Sequence, residues 1–143
     1  MIINGENVSQ AIRTPEVTAL VSPISAYAAV REKLVTYQQE LGKLGGIVAE
    51  GRDIGTNVFP DAEVKIFLTA SVEERARRRL KDFQAQGEDN ISLQQLEKDI
   101  QQRDYQDTHR TLAPLRKASD AIELNTDGLT VEEVINKIIH LVQ

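Results

Sequence analysis

The chain of 143 residues has no cysteine and no tryptophan, a single methionine, and only three tyrosines and three phenylalanines. Without cysteine, disulfides and thiolate-bound zinc are excluded, and a reducing cytoplasm is the natural compartment. The apolar stretches near the C-terminus, Ile138-Ile139 and Leu141-Val142, are broken by polar residues. Nothing approaches the ~18 apolar residues of a membrane span, and a soluble chain is expected. A basic, then apolar, then small-residue leader is also lacking at the N-terminus. There is no internal repeat or low-complexity tract. Net charge is −5 and aromatics make up 4%, a poor basis for a nucleic-acid partner that needs phosphate neutralisation and stacking. The phosphate-cradling pattern Gly, four residues, Gly-Lys-Ser/Thr does not occur. Gly42-Lys43 is the only Gly-Lys pair; Leu44 follows it, and Tyr37 stands where the first glycine belongs.

What is present is ordinary globular composition, 41% hydrophobic and 27% charged, at the length of one domain. Asn4-Gly5 signals a hairpin turn within residues 1–10. Thr14-Pro15-Glu16 reads as a helix start, and Pro23 should end or kink that helix. From Ala26, the residues Val30, Leu34, Tyr37, Leu41 and Leu44 recur at helical spacing up to Gly45-Gly46. Residues 47–49 and 64–68 are short β-branched runs that suit buried parallel strands, with 121–124 as a third. Capping boxes are expected at Ser71/Glu74, Ser92/Gln95 and Thr130/Glu133, with Gly87 closing the first of those helices. Strands alternating with helices predict an α/β fold around a parallel sheet, where ligands bind at the carboxyl ends of strands.

Three groups of residues carry candidate chemistry. Directly after the run 47–49, Glu50-Gly51-Arg52-Asp53-Ile54-Gly55-Thr56 packs two acids, an arginine and two glycines together. Arg52 suits an anion and Asp53 an amino group, although an Arg-Asp surface turn has the same composition. Four of the ten arginines fall in residues 75–79. Arg75, Arg78 and Arg79 share one helical side and can converge on a polyanion, or form a solvated face with Glu73 and Glu74. Arg103, Asp107 and Arg110, spaced by four and three, form a stripe suited to an anion beside a hydroxyl, or a plain surface ion pair. His109 and His140 are the only histidines and make no convincing metal site.

Residues 48–62, the run 64–68 and Ser71 to Arg78 together strongly resemble bacterial cytidylate kinases. The match continues through Arg103-Asp104 to Ala113-Pro114-Leu115 and back through residues 8–14. The resemblance implies a nucleoside monophosphate kinase fold: 1–45 in the acceptor region and connecting helix, 46–73 core strands, 74–112 a helical lid, and 113–143 a last strand and helix. It implies Ser22, Arg31 and Asp53 at the cytosine base, Arg52 at the acceptor phosphate, Arg103 and Asp107 at the ribose hydroxyls, and Arg110 as a further acceptor-site arginine. Arg78, with Arg75, would stabilise the transferring phosphoryl. The implied substrates are ATP and CMP or dCMP, with Mg²⁺. Complete members of the family begin with a strand and a P-loop that this sequence does not contain, so it resembles their C-terminal portion and is expected to be inactive alone. A missing N-terminal segment or a fused domain would supply the P-loop; in some relatives the kinase is fused behind pantothenate synthetase. A CMP-binding or interaction module without catalysis is the alternative.

Overall fold

A computed structural model describes residues 1–85, 87, 88 and 90–142, with the side chains of Pro15, Thr18, Ala19 and Ser22 outside that description. The chain groups into two compact units, Met1–Val48 and Ala49–Gln143.

The first unit opens with a hairpin, β1 (Ile2–Ile3) and β2 (Glu6–Asn7), paired antiparallel. Asn4 and Gly5 both take positive φ, 52° and 85°, the geometry a two-residue turn of this hand demands. Helix α1 (Pro15–Ser25) starts as expected: Thr14 Oγ1 accepts from the Val17 amide. It does not stop at Pro23. A proline in the last turn removes only one amide, and the helix runs two residues further before the Ala26 amide turns back to the Pro23 carbonyl. Helix α2 (Ala28–Gly42) carries the anticipated apolar stripe, but Leu34, Tyr37 and Leu41 are exposed. Gly45 and Gly46 close it at positive φ.

The second unit is built on a two-stranded parallel sheet, β3 (Ile66–Thr69) with β4 (Ile122–Asn125), in register from Ile66 opposite Ile122 to Thr69 opposite Asn125. Helices α3 (Val72–Ala85) and α4 (Leu93–His109) connect the strands, and α5 (Val131–Val142) follows β4. This is α/β, as the alternation of periods predicts. Residues 47–49 are not a strand. No described strand pairs with them, and Val48 is fully exposed, because a strand needs a neighbour's ladder to form.

Helices α3 and α4 pack on each other around Ala76, Leu96 and Ile100, with Val72, Leu80, Phe83, Ile91 and Leu93 around them. Ala76 is wholly buried, and so small a residue brings the two helix backbones close. The three caps differ. At α5 the box is complete, with the Thr130 amide donating to Glu133 Oε2 (2.8 Å) and the Glu133 amide to Thr130 Oγ1 (3.2 Å). At α3 it is half formed. Ser71 Oγ accepts from the Glu74 amide, but Glu74's carboxylate is taken by Arg77 and Arg78, and the Ser71 amide donates to Asp127 instead. At α4, Ser92 makes no side-chain cap, and Gln95 turns forward to Asp99. Gly87 closes α3 at φ 84°, with the Glu88 amide reaching the Phe83 carbonyl.

Candidate functional site

The loop after residue 50 is shaped by its glycines and by one unusual turn. Residues Ile54–Val58 form a π-helical turn in which the Val58 amide donates to the Asp53 carbonyl and the Phe59 amide to the Ile54 carbonyl. A β-carbon on Gly51 would lie 2.8 Å from Ile54 Cγ1, so any larger residue there must displace the Ile54 side chain. Single π turns concentrate at functional sites. This one presents Arg52 and Asp53 at its entrance, and Asn57 Nδ2 steadies the Asp53 carboxylate at 3.2 Å.

One face of α4 carries Ile100, Arg103, Asp104 and Asp107, at steps of three, one and three, and Arg110 caps its end. Asp107 is 4% exposed and sits among three guanidiniums. Arg52 Nε donates to its Oδ2 at 2.8 Å, Arg103 Nε lies 4.0 Å from the same oxygen, and Arg110 Nη1 lies 3.7 Å from Oδ1. Arg110 also faces Asp53, at 3.6 Å, and donates through Nε to the Ala113 carbonyl. Ala113 adopts φ 46°, a left-handed conformation that costs a non-glycine residue ~1–2 kcal/mol. The neighbouring Leu115 amide is held by the Asp107 carbonyl at 2.7 Å. Three arginines against Asp53 and Asp107 leave a surplus of positive charge among preset donors. That suits an anionic ligand that also offers a hydroxyl or amino group.

Beside it, a cleft of about 150 Å³ is lined by Arg52, Arg75, Arg79, Ile100, Arg103 and Asp104. Arg75 is fixed on both sides: its two Nη atoms form a fork with Asp104 (3.0 and 2.6 Å), and its Nε donates to the Ala70 carbonyl just after β3. Of its five N–H donors three are used, and two remain for a ligand. Arg79 lies over the Phe83 ring at 5.6 Å. Arg78 points elsewhere. It donates to Glu74 and to both the hydroxyl and the carbonyl of buried Thr126, at the carboxyl end of β4.

The structure therefore brings Arg52, Asp53, Arg103, Asp107 and Arg110 together, and Arg75 and Arg79 with Arg52 and Arg103. Arg78 is not among the residues lining that cleft. Arg31 lies on α2 in the first unit, where its Nη1 donates to the Ser25 carbonyl. The Ser22 side chain lies outside the described residues. Sequence reasoning did not single out Asp104 as the partner that fixes Arg75. The signal was its place one step from Arg103 on the Ile100–Asp107 face, but the pairing across 29 residues is visible only once α3 and α4 pack.

The sequence matches the cytidylate kinase family over residues 1–143. It is 63% identical over 141 residues to the bifunctional pantoate ligase/cytidylate kinase of Trichormus variabilis, covering 99% of this chain and 26% of that protein. It is likewise 63% identical over 139 residues to the protein of the same name from Synechocystis sp., at 97% and 27%, and 55% identical to that of Prochlorococcus marinus, at 99% and 27%. The chain thus spans about a quarter of the length of the curated relatives it matches. With a match along its whole length, the chain belongs to the cytidylate kinase family.

Proposed function

We propose that these residues form the acceptor side of a cytidylate kinase, which moves the γ-phosphoryl of ATP to CMP or dCMP. The observation that carries the reading is the cluster of Arg52, Arg103 and Arg110 around Asp107 and Asp53. In this reading Arg52 binds the acceptor phosphate, Arg103 and Asp107 the ribose hydroxyls, and Asp53 the cytosine base, a role that the family resemblance also implies for Ser22 and Arg31; Arg110 braces both carboxylates. Phosphoryl transfer needs positioning and charge neutralisation more than a nucleophilic side chain, because an acceptor phosphate oxygen itself attacks the γ-phosphorus as the bond to the ADP oxygen breaks. Arg75 and Arg79 serve the transferring group from the α3–α4 hairpin, and Arg78 joins them on releasing the Thr126 carbonyl; we take that hairpin to belong to a lid over residues 74–112, with residues 1–45 assigned to the acceptor region and 46–73 and 113–143 to the core.

Among the described residues no three or more His, Asp or Glu side chains come together to hold a metal ion. The Mg²⁺ that the family uses is assigned to the nucleotide phosphates, where it would neutralise the charge that develops in phosphoryl transfer. The donor cradle is assigned to chain outside these 143 residues, in keeping with the length of the relatives. Among the described residues no helix is long and apolar enough to cross a membrane; a cytoplasmic enzyme is proposed.

Calorimetric titration tests the reading. CMP is expected to bind the 143-residue chain more tightly than UMP or AMP, and Arg52→Ala to remove that binding. ATP-dependent formation of CDP by this chain alone is expected to be negligible. Equal binding of all three nucleotides, or of none, contradicts the acceptor assignment; rapid turnover contradicts the division of labour.

A further inference from the structure

Lys65 belongs to no group the sequence singled out, yet it is the most deeply placed cation near the site. Its side chain is 7% exposed, although lysine is seldom buried unless paired. The pair is there: Nζ donates to Asp120 Oδ2 at 2.6 Å and to the Pro60 carbonyl. Its stem runs under the π turn. A β-carbon on Gly55 would stand 3.4 Å from Lys65 Cδ and 3.5 Å from Cγ, so the methylenes pass beside Gly55 with room for no more than a small side chain between them. The Lys65 carbonyl meanwhile accepts from the Ile122 amide, where the β3–β4 ladder begins.

One side chain therefore holds the segment 54–60 at two points and roots it on Asp120, just before β4. The same segment sets Asp53. The Asn57 and Val58 amides donate to the Asp53 carbonyl, and Asn57 Nδ2 to its carboxylate. A shift of the turn moves that carboxylate relative to Arg110, and with it the neighbouring Arg52 on Asp107.

We propose that Lys65 is a positioning residue for the acceptor pocket, fixing the π turn so that the Asp53 carboxylate is held where it discriminates the nucleotide base. The inference rests on the acceptor reading above. A lysine that only stabilised the fold would change melting temperature and leave base discrimination intact, so discrimination is the readout.

The test is titration of CMP and UMP into the parent chain, Lys65→Met, Asp120→Asn and Arg52→Ala, at a temperature where circular dichroism shows each to be folded. Methionine keeps the apolar stem and loses the ammonium. Asp120 is 59% exposed, so its replacement breaks the same anchor from the surface and still allows folding. Lys65→Met is expected to weaken CMP about tenfold, the scale of one misplaced charge-assisted hydrogen bond, and UMP much less, so that the preference falls. Asp120→Asn should move the same way by a smaller amount, and Arg52→Ala should weaken both nucleotides alike. An unchanged CMP-to-UMP preference in a folded Lys65→Met chain, or in Asp120→Asn should the first variant fail to fold, overturns the role of Lys65 while the acceptor reading stands. A parent chain that binds neither nucleotide, or both equally, overturns the acceptor reading and this inference with it.

Discussion

Asp107 is the residue at which the site is most tightly specified. It is the buried acceptor for Arg52 and lies within 4.0 Å of Arg103 and Arg110, so Asp107→Asn keeps the shape and removes the charge that the three guanidiniums share. Removing one partner of a buried charge cluster is costly because the others are left uncompensated. Since Arg52 and Arg103 are still half in solvent, a loss of about 1–3 kcal/mol is expected in chemical denaturation, together with a loss of CMP binding of about tenfold or more. Unchanged binding in this variant contradicts its place at the ribose. Much of this was legible in the sequence: the spacing of Arg103, Asp107 and Arg110 puts all three on one stripe, and the glycines around Arg52 mark a ligand loop. What was not legible is the meeting of Arg52 with Asp107 across 55 residues, since spacing carries information only within an element. The diversion of Arg78 to Thr126 is hidden for the same reason. Its i, i+3 and i+4 neighbours place it beside Arg75 and Arg79, but its guanidinium is claimed by a carbonyl that a distant strand brings up.

At the scale of the elements, the α3–α4 hairpin and the helix starts carry the separable energies. Leu96 and Ile100 pack on Ala76 in the small core between α3 and α4. Leu96→Ala should cost about 2–4 kcal/mol by emptying that core, and hydrogen exchange should show α3 and α4 loosening together. Loosening of α4 alone would contradict their packing as one unit. Thr130→Ala should cost about 1 kcal/mol through loss of the α5 cap. Two helix-start carboxylates are also acid-sensitive. Glu133 is held below the ordinary carboxylate range by the Thr130 amide and hydroxyl, and Asp127 by the Ser71 amide. A carboxyl whose folded-state value is depressed binds its proton less readily in the folded chain than in the unfolded one. Its contribution is therefore complete above the unfolded carboxylate value, near pH 4, and disappears as the pH falls through the lower folded value. Melting temperature should fall on acidification through this window, and Glu133→Gln should flatten the fall. The caps illustrate how far sequence patterns reach. Thr130/Glu133 forms as the pattern dictates, whereas Ser71/Glu74 is half diverted because two arginines one turn on compete for the same carboxylate.

At the scale of the whole molecule, the alternation of β-branched runs and helical stripes was enough to specify α/β organisation and the parallel pairing of β3 with β4. It misplaced residues 47–49, because a strand is a property of two chain segments and periodicity reports on only one. Leu68 and Ile122 in the sheet, Leu34, Tyr37 and Leu41 on α2, and Val131, Ile135 and Ile139 on α5 are all exposed. Among the described residues the buried apolar positions are Val58, Ala76, Leu96 and Ile100. The dependence of unfolding free energy on urea scales with the surface exposed, so a slope well below that of compact chains of this length is expected, along with binding of apolar dyes by the folded state. A steep transition with no dye binding would contradict this exposure. The central claim, that the cluster around Asp107 is a cytidylate acceptor site, is tested most directly by mapping amide and arginine side-chain NMR shifts as CMP is added. Saturable shifts at Arg52, Asp53, Arg103, Asp107 and Arg110, absent with AMP, are the expected result. No shifts at these five residues, or equal shifts with AMP, would contradict it.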